Sequence, residues 1–303
     1  MKTNREDLIT GLFTGDYRAI ARCITIVENE LTDSEEILLR LKPKNTPVIG
    51  FTGPPGAGKS TLVNDYVGHL LQNDKKVAVI AVDPSSPFNF GALLGDRIRM
   101  LEHFKNQNLY IRSVASRGSL GGLSDKITDI VEVLKSAPFD YIIIETVGVG
   151  QSEIDVVGVA DYTAVVLVPE AGDQIQGMKA GLMEIADLFV INKADREGAD
   201  TMFNNLQQML MYRSNYKPLP VLKTIATNKN SSNEMALVLE GLIIQNKEMK
   251  EMKINLLAIK VYRVIQRSRM KDIDMNSIIS DLKLHYHSEE NIYTYIKKRY
   301  SAV

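Results

Sequence analysis

Nine consecutive residues, Gly53-Pro54-Pro55-Gly56-Ala57-Gly58-Lys59-Ser60-Thr61, have types and spacing that suit a nucleoside triphosphate. Glycines at these positions let successive backbone N–H groups converge on phosphate oxygens. Lys59 neutralises the outer oxygens, and Ser60 presents a hydroxyl to Mg²⁺. The flanks agree. Val48 to Phe51 is a strand-sized apolar run, and Leu62-Val63-Asn64-Asp65-Tyr66-Val67 has helical spacing, so the loop opens a helix directly after a strand. An ordinary Gly/Pro turn does not account for the full spacing together with both flanks.

Phosphate chemistry also needs acids near the metal. The run Lys76 to Val82 reads as a buried parallel strand that delivers Asp83 at its C-terminal end, the edge where open α/β sheets place ligands. Asp96 follows a loop-like segment from Ser85. Tyr141-Ile142-Ile143-Ile144-Glu145 is a hydrophobic strand that ends in an acid, and Gly148 lies three residues on, where its N–H can approach the terminal phosphate. Ser60, Asp83, Asp96 and Glu145 are therefore the candidate metal ligands. Lys59, Glu145 and Gly148 are the candidate catalytic residues.

A third cluster bears on the base. Leu188-Phe189-Val190-Ile191 reads as a strand and leads into Asn192-Lys193-Ala194-Asp195. A carboxylate there accepts from guanine's N1–H and exocyclic amine, a donor pair that adenine lacks, so GTP is expected over ATP. The stem of Lys193 can lie along the base while its charge stays hydrated. After a last strand, Pro220 to Ile225, the loop Ile225-Ala226-Thr227 offers a backbone N–H to the guanine O6.

Positioning these groups takes seven apolar strand-like runs separated by helical stretches. The expected fold class is α/β, a mostly parallel P-loop sheet with helices on both faces. Residues 1–44 read as an N-terminal helical segment, 45–245 as the nucleotide domain and 246–303 as a C-terminal helical extension. Tyr17, Ile20, Ile24, Val27 and Leu31 recur at steps of three and four behind a capping Asp16, so that helix is expected to lie on the main domain. Residues 170–179 form a polar, Gly-containing candidate loop. His285 and His287 read as surface or packing residues, and the basic, aromatic end after Asn291 as a helix with a solvated face.

Composition narrows the class. Lys plus Arg number 36 against 37 Asp plus Glu, a formal net charge of −1, which gives no global reason to expect nucleic acid or membrane as partner. One cysteine, Cys23, excludes an internal disulfide framework and suits a reducing compartment. The N-terminus has no apolar signal core. A cytoplasmic location is expected.

Taken in order, the motifs resemble one family. Gly15-Asp16 with Arg18 to Arg22, Gly53 to Thr61, Val82-Asp83-Pro84-Ser85-Ser86, Gly95 to Met100, Glu145-Thr146-Val147-Gly148-Val149-Gly150-Gln151-Ser152-Glu153, Gly172-Asp173 through Lys179, and Asn192 to Asp195 look like the MeaB/ArgK (MMAA-type) GTPases. That family comprises the G-protein chaperones of adenosylcobalamin-dependent methylmalonyl-CoA mutase. The resemblance implies GTP/GDP and Mg²⁺ as ligands and a homodimer formed through C-terminal helices. It implies an adenosylcobalamin-dependent acyl-CoA mutase as partner, with cofactor loading or protection as the task. Segments 84–100 and 146–154 would be its switches, and 172–182 the loop through which the mutase senses the nucleotide. Ile225-Ala226-Thr227-Asn228 departs from the Ser-Ala usual in that family's last guanine loop. Two other classes stay open: a metallochaperone GTPase for nickel or cobalt, and an ATP-dependent kinase.

Overall fold

The apolar runs become strands because they are rich in β-branched residues and buried on both faces, as parallel sheets require. The computed structural model describes residues 5–83, 103, 105–115, 126–146, 156–171, 186–211, 219–226, 229–245, 250–270, 273, 275–285 and 292–300. Within these, the strands are β1 (Val48–Thr52), β2 (Val77–Asp83), β3 (Leu109–Ala115), β4 (Tyr141–Glu145), β5 (Tyr162–Leu167), β6 (Leu188–Ile191) and β7 (Val221–Lys223). They form one sheet in the order β3-β2-β4-β1-β5-β6-β7, and every pairing is parallel.

That order contains the feature that places the site. The chain moves outward from β1 to β2 and β3, returns to β4 beside β1, and then crosses to β5 on the other side. Strand order reverses between β1 and β5: β1 leads to β2 on one side and β5 to β6 on the other, so the loops leaving these adjacent strands diverge and leave a crevice, the position where such sheets bind ligands. Phe51 of β1 is the register partner of Glu145 at the end of β4. The phosphate-type loop and the acid therefore meet at one edge.

Two apolar layers hold the sheet. On one face Ile49, Phe51, Val79 and Ile143 pack with Leu62, Tyr66 and Leu70 of α4 (Lys59–Gln72), and the same core takes in Met202 and Leu206 of α6 (Ala199–Met211) and Met235 and Leu239 of α7 (Lys229–Gln245). On the other, Val48, Ile80, Ile142 and Ile144 pack with α1 (Arg5–Thr14), α2 (Tyr17–Glu28), α3 (Ser34–Arg40) and α5 (Ile127–Ser136). The alternation of Ile142 and Ile144 against Ile143 is the period of two expected of a strand. Ile20, Ile24 and Val27 of α2 are fully buried, each worth about 1.5–3 kcal/mol of transfer free energy. Asp16 caps α2 by accepting from the Arg18 N–H at 2.8 Å, as its sequence position predicts.

The N-terminal helices thus share a core with the sheet. By contacts, Met1–Met249 form one unit and Lys250–Val303 a second. Cys23 lies in the α2 layer at zero exposure, and burial pushes its thiol up to about 11. The second unit comprises α8 (Lys250–Arg269), α9 (Met275–His285) and α10 (Ile292–Tyr300). There the Tyr295 hydroxyl donates to the Asp281 carboxylate, joining α10 to α9. Leu257, Val261, Val264 and Ile265 of α8 are exposed. His285 ends α9, and His287 lies outside the described residues. Among the described residues no helix is long and apolar enough to cross a membrane.

Candidate nucleotide site

At the phosphate end, glycine is a steric requirement at two positions. Gly53 has φ +137, and a Cβ there would stand 2.0 Å from the carbonyl oxygen of Val166 in β5. Gly58 has φ +88, and its Cβ would stand 2.3 Å from the Asn192 amide nitrogen. Both backbones adopt a conformation that L side chains rarely take, and both lie against neighbouring structure. Gly58 is also the N-cap of α4 and, as glycine, supplies no side-chain cap to that helix. Such an end attracts anions through its N–H groups and the helix dipole.

Lys59 begins α4 and is 6% exposed. Its ammonium donates to the carbonyls of Gly53 at 2.8 Å and Pro54 at 3.0 Å, so the cation is held folded over the loop. Ser60, half-buried one residue on, donates its hydroxyl to the Glu145 carboxylate. Beside it, Thr146 fastens β4 to β1: its N–H donates to the Phe51 carbonyl at 3.1 Å, and its hydroxyl lies 3.2 Å from that of Thr52. A hydroxyl and a carboxylate in contact at the mouth of an anion-binding loop are hard oxygen donors. They fit Mg²⁺, which is commonly held by one or two carboxylates together with substrate phosphates.

The other predicted metal ligands are placed less fully. Asp83 is the last residue of β2, two beyond Ala81, the register partner of Glu145. Asp96, Gly148 and Thr227 lie outside the described residues, as do segments 84–100, 147–155 and 172–182. Thr61 is exposed on the first turn of α4.

At the base end one side-chain group and one backbone group are engaged by neighbouring loops. Asn192, 1% exposed, donates its amide N–H to the Ala57 carbonyl at 2.8 Å. Its side-chain oxygen accepts from the Thr224 hydroxyl at 3.2 Å and the Ala226 N–H at 3.1 Å. Asn192 therefore braces the phosphate loop against the loop after β7. The Ala226 N–H, expected from the sequence to approach the guanine O6, donates to that brace. The reason is burial: a buried amide needs partners, and these two loops supply them. Ile225 beside it is half-buried.

Lys193 has φ +57, uncommon for a residue with a side chain, and its ammonium donates to the Gly56 carbonyl at 2.8 Å. The strained backbone and this bond lay its stem over the phosphate loop. Asp195 follows in a turn closed by the Arg196 N–H donating to the Lys193 carbonyl at 3.0 Å, and it is exposed. The structure thus joins Gly53 to Ser60, Glu145, Asn192, Lys193 and Asp195 along one edge of the sheet. Sequence reading placed Glu170 in a candidate loop after β5 but did not foresee its bond from Arg196. The available signal was opposite charge in two loops leaving neighbouring strands.

Comparison with known proteins fits this arrangement. The "Putative GTPase PH0274" of Pyrococcus horikoshii is 46% identical over 238 residues, which are 76% of this chain and 75% of that one. The "Methylmalonic aciduria type A homolog, mitochondrial" of Mus musculus is 39% identical over 206 residues, 63% of this chain and 50% of that protein. Among solved structures, an LAO/AO transport system kinase superposes with a TM-score of 0.68 at 28% identity, covering 100% of this chain and 93% of its own. The family model described as methylmalonyl Co-A mutase-associated GTPase MeaB matches residues 20–270. With the phosphate loop, the acid at the end of β4 and the Asn-Lys-Ala-Asp turn assembled on one parallel sheet, the chain belongs to the MeaB family of GTPases.

Proposed function

We propose that this GTPase runs a Mg²⁺-dependent cycle that assists an adenosylcobalamin-dependent acyl-CoA mutase, of the methylmalonyl-CoA type, in cofactor loading or protection. The observation that carries the reading is the contact of Ser60 with Glu145 at the glycine-capped start of α4, in a chain of the mutase-associated family. In this reading the N–H groups of the first turn of α4 orient the phosphates, and Lys59 turns from the loop carbonyls to their oxygens. Ser60 and Glu145 hold Mg²⁺, with Asp83 and Asp96 as further acids. Bound Mg²⁺ supplies positive charge where the departing phosphate accumulates negative charge. Gly148 offers its N–H to the terminal phosphate. Asp195 accepts from guanine, and Lys193 covers the base.

The catalytic set holds no assigned residue to position water, so unassisted turnover is expected to be slow and to rise with the partner bound. The cytoplasm is the proposed location. A homodimer through the C-terminal helices is supported by the exposed apolar residues of α8. The metal-insertion alternative has no group of three or more His, Cys, Asp or Glu among the described residues to rest on.

Turnover of GTP and ATP by the purified protein, with and without a methylmalonyl-CoA-type mutase, tests the proposal. GTP is expected to be hydrolysed in preference to ATP, and faster with the mutase. Equal use of both nucleotides overturns the guanine assignment, and indifference to the mutase in both GTP turnover and mutase activity overturns the partner.

A further inference from the structure

β5 and β6 are adjacent and parallel, with Leu167 opposite Ile191, so the segments that follow them emerge side by side. One is the short helical turn Pro169–Ala171, the other the turn holding Asp195. They stand close together: a Cβ built at Gly198 would lie 3.9 Å from that of Pro169. Between them the Arg196 guanidinium donates to the Glu170 carboxylate, both side chains being half exposed. Arg196 is also the chain neighbour of Asp195. Its guanidinium is a rigid fork of donors matched to carboxylates, and Asp195 and Glu197 are the two carboxylates adjacent to it in sequence. Yet among the described residues Asp195 takes part in no ion pair, and Arg196 pairs with Glu170.

We propose that Glu170 is a positioning residue for guanine specificity: by engaging Arg196 it keeps that cation off Asp195 and leaves the Asp195 carboxylate to the base. The charge balance agrees. Arg196 above all, with a smaller pull from Lys193, holds the Glu170 carboxyl below its ordinary range, so Glu170 is ionised at neutral pH and draws on the cations of the base loop. The inference rests on Asp195 reading guanine and adds which neighbour keeps it available.

Titration of GDP and ADP into the full chain and its variants Glu170→Gln, Arg196→Gln, the double variant and Asp195→Asn tests it. Glu170→Gln is expected to weaken GDP by about two- to fivefold, the scale of an exposed charge pair. Arg196→Gln is expected to bind GDP as well as the parent, and the double variant to regain the parent's affinity. ADP affinity is expected to be the same in every variant, because adenine offers Asp195 no donor pair. Equal losses in both single variants with no recovery in the double would mean a mechanical brace and overturn the proposal. An unchanged Glu170→Gln overturns it too. If Asp195→Asn retains GDP affinity, the guanine reading itself falls; if it loses affinity while Glu170→Gln does not, only this inference falls.

Discussion

At the phosphate end the working groups are buried or close to it, with Lys59 at 6% and Asn192 at 1% exposure, and most of their partners are backbone carbonyls. At the base end Asp195 is exposed, and Arg196 and Glu170 pair across half-exposed side chains. The contrast separates two jobs. In the proposed function phosphate binding falls to the main chain and the first core layer, so damage there is expected to reach stability as well as affinity. In the same reading base selection falls to solvated side chains, so damage there is expected to change preference and leave the fold intact. Asn192 spans the two ends, being bonded to both loops.

Substitutions at each end would break or sharpen this contrast. Lys59→Ala carries the largest expected effect. Loss of charge-assisted bonds to phosphate should cost about 3 kcal/mol of GDP affinity, roughly a hundredfold by calorimetric titration. Next, Asn192→Ala strands the Ala57 carbonyl and the Ala226 N–H, and should lower unfolding free energy by about 2–3 kcal/mol in urea along with GDP affinity. A loss of affinity with stability unchanged would make Asn192 a base reader and erase its bridging role. Asp195→Asn should leave the unfolding midpoint unmoved while weakening GDP by roughly tenfold. It should favour xanthine nucleotides, whose N1–H and 2-oxo groups match an amide. The smallest effect concerns pH. Because the folded-state pKa of Glu170 is depressed, its pairing is fully present above the ordinary glutamate range and is lost as pH falls through the lowered value. The ratio of parent to Glu170→Gln affinity for GDP should therefore stay flat from about pH 8 to about pH 5 and decline only in more acid solution.

All seven strands were legible because each is a short run whose burial is local to its residues. The phosphate loop was legible because its spacing is a contiguous code. The base end was legible as a motif, but its contacts within the protein were not. Whether an asparagine faces a ligand or a neighbouring loop depends on what the fold brings beside it, and Ala57, Thr224 and Ala226 come from distant stretches of chain. The Glu170–Arg196 pair was hidden for the same reason, since only the order of β5 and β6 makes their loops neighbours. The amphipathic pattern of α2 announced that it would be covered, and its apolar residues do close one face of the sheet.

Cys23 gives that layer an inherent clock. With one thiol in the chain, enclosed between α2 and the sheet and held protonated at neutral pH, alkylating reagents can label the native protein only when the layer parts. The labelling rate in dilute reagent therefore measures how often the N-terminal helices lift. Comparing that rate with and without nucleotide would report whether events at one edge of the sheet are felt on its opposite face, with no probe added to the molecule.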